Sequence, residues 1–216
     1  METEKMNDII EEELVDSVTI MAEEETIGEG EEAKKQICFR GIFSEADTLN
    51  VNKRVYPKAV LRTVFEEAAK RAKETGKPIF GELEHAKDAH INLERIAVTF
   101  PEFTWDEATG QIKGKAIPTL TEAGETVKKL AMSGFPICFS TRMAGKVKPL
   151  SEERKRQFGI TEEKAVEVCE GARLISIDVV GNQSCQKAVS QTLYEESEQE
   201  EKKKYPTFKQ VFDSAL

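Results

Sequence analysis

Residues 135–147 read FPICFSTRMAGKV. A short apolar run of this length, bounded by proline and glycine, is a buried strand running into a glycine-containing bend. Segments of the same kind lie to either side. ICFRGIF (37–43) alternates well enough for a strand, and one or two strands fall around 91–105. GQIKGKAIPTL (110–120) is another, after a turn at EATGQ, and VEVCEGARLISIDVVG (166–181) is a strand with Gly171 as a bulge or turn. Two helices interrupt them. PKAVLRTVFEEAAKRAKETG (57–76) starts on proline, ends on glycine and has apolar residues at 60, 61, 64, 65, 68 and 69. TEAGETVKKLAMSG (121–134) is capped by Thr121 and ended by Gly134. SEERKRQFGITEEKA (151–165) reads as a charged loop with some helix. The class is therefore α+β, with a mainly antiparallel β-sheet or barrel core and flanking helices.

The chain has 216 residues, 39% apolar and 33% charged, a soluble composition at a length that suits one domain with tails, or at most two small domains. No apolar run approaches the roughly 20 residues that span a bilayer, and an acidic N-terminus is no secretory leader. The four cysteines (38, 138, 169 and 185) have no CxxC spacing, and Cys38 and Cys138 sit in apolar segments, so reduced thiols are expected. Charge is unevenly spread. The net charge is −9, yet residues 1–32 hold thirteen acids and one lysine, so the rest is mildly basic. A basic body suits an acidic partner, its own leader included. No dense Lys/Arg stripe with interleaved aromatics points to nucleic acid.

Three segments follow from these patterns. Residues 1–33 form an acidic leader in which MNDIIEEELVDSVTIMAEEE has near-helical apolar spacing and TIGEGEE is a flexible linker; a solvated acidic tail explains it equally well. Residues 34–190 are the body. Residues 191–216 are a charged tail.

Three residues stand out for chemistry. His85, one of only two histidines, follows two carboxylates in GELEH (81–85) and has the residue type of a general base. A surface histidine beside acids, or a metal site shared with His90, also accounts for it, although the spacing matches no zinc signature. Ser140 ends an apolar run before Arg142, where a hydroxyl can be exposed to a base. Asp178 interrupts the apolar strand LISIDVV, and if buried it needs a cation or donors, which a histidine would supply.

In order along residues 37–189, LNVNKRVYPKAVL, GELEH…INLERIA, GFPICFSTRMAG and ISIDVVGNQS together resemble the prohead (procapsid) maturation proteases of large tailed bacteriophages. That family shows an N-x-N-[GK]-R-x-Y-P loop, then G-E-L-x-H-P, a [VI]-S-S-R-G-x-G segment and a late D-[AIV]-V strand. The resemblance implies a serine endopeptidase with a herpesvirus-assemblin-like fold. His85 matches the base and Ser140 the nucleophile, Asp178 is the candidate third member, and Arg142 with Thr141 supports the oxyanion or its loop. The chain departs from the family pattern at Ala86, Thr141 and Met143, where the family has proline, serine and glycine. The resemblance further implies scaffold, core and major capsid proteins as substrates, a homo-oligomer inside the immature prohead in the host cytoplasm, and no cofactor, metal, membrane or nucleic-acid partner. It also implies self-processing, with Glu29 and Glu195 as the candidate cleavage sites in the two tails. A catalytically silent prohead core or scaffold protein is the alternative.

Overall fold

The computed structural model describes residues 20–27, 34–50, 52–86 and 89–181. Its main sheet is built on the long strand β2 (Lys34–Glu45), beside β1 (Ile20–Ile27). The order is β1-β2-β6-β5-β4, all antiparallel, with β4 at Ile79–Glu82, β5 at Ile96–Asp106 and β6 at Gln111–Pro118. A second antiparallel pair joins β7 (Cys138–Ala144) to β10 (Arg173–Val180). β3 (Arg54–Val55), β8 (Val147–Pro149) and β9 (Val166–Val168) form a small separate sheet.

Two seams bring the main sheet and the β7–β10 pair around one core. At the first, Leu83 bridges Val179 in parallel, and the Glu84 N–H donates to the Val179 carbonyl at 2.7 Å. At the second, β2 is bulged between Ile42 and Ser44, and the Thr141 hydroxyl donates to the Phe43 carbonyl at 3.0 Å. The bulge frees a carbonyl from the ladder, and a side chain from β7 satisfies it. Inside, Phe39, Phe43, Phe100 and Phe139 pack edge to face, with ring centroids 5.1–6.2 Å apart.

α1 (Lys58–Thr75) follows Pro57 and ends at Gly76, whose φ of 66° is left-handed; it buries Val60, Leu61, Val64, Phe65 and Ala68. α2 (Glu122–Met132) is capped by the Thr121 side chain, as its sequence predicts. α3 (Glu152–Phe158) is the helix within the charged 151–165 segment. At Gly171, φ 84°, the chain turns between β9 and β10, so that segment is two strands rather than one.

The leader differs from its helical reading. Residues 20–27 are strand β1, paired with β2 from Ile20 opposite Gly41 to Ile27 opposite Lys34. Glutamates favour helix only weakly, and tertiary pairing overrides that preference. Ile20 is fully buried, Glu23 and Glu25 meet Arg40, and Glu25 also meets Lys115 of β6. Hydrogen bonds from Lys115 and then Arg40 lower the Glu25 pKa. The basic body thus holds part of its own acidic leader. Residues 1–19 and the linker 28–33 lie outside the described residues, as does the tail.

The glycine of GELEH has a packing reason. A Cβ on Gly81 would lie 2.0 Å from the Ile177 carbonyl oxygen and 2.6 Å from a Val98 methyl. Neither the backbone of β10 nor the core can yield that much. Gly81→Ala is expected to cost on the order of 2–3 kcal/mol, lowering the melting temperature by roughly 5–10 °C in calorimetry; an unchanged melting temperature would mean that β4 and β10 are not in this contact.

Candidate active site

Ser140 and Asp178 sit directly opposite each other in the β7–β10 ladder. Opposed residues of an antiparallel pair project from the same face, with Cβ atoms about 4.5–5.5 Å apart. Alternation puts Arg142 on that face as well and turns Thr141 to the other, where it closes the β2 seam. β4 runs in beside β10 and delivers Glu82 and, three residues later, His85.

These side chains form one buried cluster. His85 Nδ1 lies 2.8 Å from Asp178 Oδ2. The other carboxylate oxygen, Oδ1, accepts the Glu82 backbone N–H at 2.8 Å. Arg142 Nε is 3.2 Å from Asp178 Oδ2 and donates to the Ser176 hydroxyl at 2.9 Å, while its Nη2 pairs with Glu82 Oε2. Glu82 Oε1 accepts the Asn92 N–H at 2.6 Å. Arg142, Glu82 and Asp178 are all fully buried. Charges so placed are tolerated only when paired and hydrogen-bonded, as these are.

The loop carrying His85 is fixed from both sides. Arg95 donates to the Leu83 carbonyl at 2.6 Å and to the Glu84 carbonyl at 2.5 Å. Glu84 has φ 64°, rare for a residue with a side chain, and its Oε1 accepts the Gly181 N–H at 2.7 Å. β4 stops at Glu82, so strand parity does not extend to Glu84 and His85. Glu84 thereby ties the histidine loop to the end of β10.

The structure brings His85, Ser140, Asp178 and Arg142 together and sets Thr141 apart. His85 Nε2 and Ser140 Oγ are both buried and without a hydrogen-bond partner, so they do not bond each other here. With a carboxylate at Nδ1, the neutral imidazole carries its proton on that nitrogen and leaves Nε2 as the acceptor. The arrangement can therefore take a proton at Nε2 from a hydroxyl brought to it. Arg142 points back into Glu82 and Asp178 rather than toward a substrate. Glu82, Ser176, Asn92 and Arg95 are members that sequence reasoning missed. All four lie inside the quoted motifs GELEH, INLERIA and ISIDVV, and Ser176 also shares strand parity with Asp178. The Asn-rich motif has a local role: the Asn50 side chain accepts the Arg54 N–H at 2.9 Å, and Lys53 takes φ 63°, folding the loop into β3.

A mainly antiparallel sheet thus wraps around the core, and a serine, a histidine and an aspartate gather at its seam. The model of the family described as "Prohead core protein serine protease" matches residues 4–197, and the chain belongs to that family. It is a serine protease of prohead maturation that acts inside the procapsid. Its fold is similar to that of the capsid assembly protease gp21 of bacteriophage T4, at a TM-score of 0.60 and 21% identity, over 77% of this chain and 99% of that one. No curated protein matches the chain.

Removing the buried cation leaves two carboxylates facing each other without compensation. Arg142→Met is expected to lose about 3–5 kcal/mol of stability in urea unfolding. Adding Glu82→Gln to it should then restore part of the loss, because the two residues are coupled. Strictly additive losses would mean that the pair is not interacting.

Proposed function

We propose that Ser140 is the nucleophile, that His85 is its general base and that Asp178 orients the imidazole. The observation that carries this reading is the opposition of Ser140 and Asp178 in one ladder, with His85 bonded to the same carboxylate. His85 Nε2 takes the Ser140 proton as Oγ attacks the scissile carbonyl, then returns it to the leaving amine; water releases the acyl group by the same route. Arg142 works through Asp178 and Glu82, holding the carboxylates, rather than at the oxyanion. With neutral His85, the four residues Arg142, Glu82, Asp178 and His85 sum to one negative charge, so the imidazolium formed during attack completes the balance.

We infer a latent state: Ser140 is 1% exposed, so cleavage requires its hydroxyl to become accessible and to come within hydrogen-bond reach of His85 Nε2. Removal of the tails by self-cleavage at Glu29 and Glu195 is the proposed trigger; both residues lie outside the described residues. The substrates are the scaffold or core and the major capsid protein of the phage, inside the prohead in the host cytoplasm. The name of the T4 relative, a capsid assembly protease, supports that class.

Purified wild type is expected to shorten on incubation, by intact mass, while Ser140→Ala stays full length. Thr141→Ala should keep a measurable fraction of cleavage but unfold more readily, by roughly 1–3 kcal/mol, because the Phe43 carbonyl loses its donor. Equal loss of cleavage in both variants would remove Ser140 as the nucleophile.

The cleavage sites are tested separately. Replacing Glu29 and Glu195 together by alanine should leave both tails attached in an otherwise wild-type chain. Products cut elsewhere, with activity intact, would overturn the proposed trigger and leave the Ser140 assignment standing.

A further inference from the structure

β1 is held by an unusual mixture of forces. Its backbone pairs with β2 along eight residues, and among its described side chains Ile20 is the one fully buried apolar group. Ala22 packs at the margin of the core, and the other described side-chain contacts of β1 are ionic and partly solvent-exposed. Arg40 of β2 spans Glu23 at 3.2 Å and Glu25, Lys115 of β6 meets Glu25, and Lys35 meets Glu24 at 3.0 Å. Exposed ion pairs of this kind are weak singly and are screened by salt. An edge strand so held belongs to the low-stability end of a fold.

The surface beneath it is specific in shape and charge. Arg40 and Lys115 lie side by side on neighbouring strands, opposite each other in the ladder. They read two carboxylates spaced two residues apart on an extended chain, as at Glu23 and Glu25. Where β1 begins, opposite Gly41, the face opens into a hollow of about 450 Å³ lined by Gly41, Gly114, Ile42 and Thr104, with Arg40, Lys113 and Glu102 at its edges, Glu102 lying 3.6 Å from Arg40.

We propose that the β2 edge, with Arg40 and Lys115, is a docking site for an extended acidic peptide of the pattern Glu-x-Glu, and that β1 is its resident, displaceable occupant. The peptide adds as an antiparallel strand. Main-chain hydrogen bonds supply affinity, and the two carboxylates supply selectivity and register. Vacating the site would let this protease hold an acid-rich protein at a point away from Ser140. The site is independent of which serine performs the chemistry.

The test uses the full chain carrying Ser140→Ala, with a recognition sequence for a site-specific protease placed within residues 28–33. After cutting, the N-terminal fragment should co-elute with the body at roughly 0.05 M salt and separate from it near 1 M, where the screening length falls to about 3 Å. The separated body should then bind a labelled peptide, IMAEEETI, by fluorescence anisotropy. The peptide with glutamine at positions 23 and 25, or a body with Arg40→Ala and Lys115→Ala, should bind about five- to tenfold more weakly, as expected for losing two or three exposed ion pairs. A fragment still bound at high salt, a body that unfolds on losing it by circular dichroism, or equal affinity for both peptides would each overturn the proposal. So would a short oligonucleotide that displaces the peptide as effectively as unlabelled peptide does.

Discussion

Burying Arg142 sets the terms for the rest of the molecule. A guanidinium with no solvent exposure needs carboxylates around it, and Glu82 and Asp178 come from two other strands. Those carboxylates, equally buried, need the guanidinium. None of the three can enter the interior alone without a penalty of several kcal/mol. The cluster therefore forms only when β4, β7 and β10 are together, and it ties the main sheet to the β7–β10 pair. Both planar donor edges of arginine are engaged, at Nε and at Nη2, a geometry that lysine cannot supply.

The same cluster explains why the site lies at a seam. Two sheets can meet there because β4 has a glycine where β10 crosses closest, and because β4 ends immediately afterwards. Ending the strand releases the chain to turn through Glu84 and bring His85 over Asp178. Arg95 and the Glu84–Gly181 bond then fix that turn. The functional geometry is thus anchored to rigid strands on one side and to a strained, heavily bonded loop on the other, which is how backbone strain is kept in place.

Charge is organised at two levels. Inside, one guanidinium, Arg142, is shared by two carboxylates, Glu82 and Asp178. Outside, the acidic front of the chain lies partly on the basic β2–β6 face, where Arg40 and Lys115 receive Glu23 and Glu25. Membership of the prohead protease family gives this a context, since such an enzyme acts inside the procapsid among other proteins. A mildly basic body covered by its own acids is shielded from unselective contact with other charged proteins.

The elements with local signals were legible in the sequence. Pro57 and Gly76 bound α1, Thr121 caps α2, and the apolar run through Phe139 is a strand, because each depends on neighbours along the chain. The resemblance carried by the ordered motifs pointed to His85, Ser140 and Asp178 as one set. Tertiary structure alone decided the rest. β1 is a strand because β2 offers it an edge and matching cations, which no period within residues 6–25 records. Glu82 and Ser176 belong to the site because Arg142, 60 and 34 residues away in sequence, is buried between them. Thr141 faces away from His85 because the strand alternates, and its hydroxyl is used by a carbonyl that a bulge left unpaired. Local backbone preference is written into neighbouring residues, whereas the pairing of buried charges and the satisfaction of freed carbonyls depend on which distant strands become adjacent.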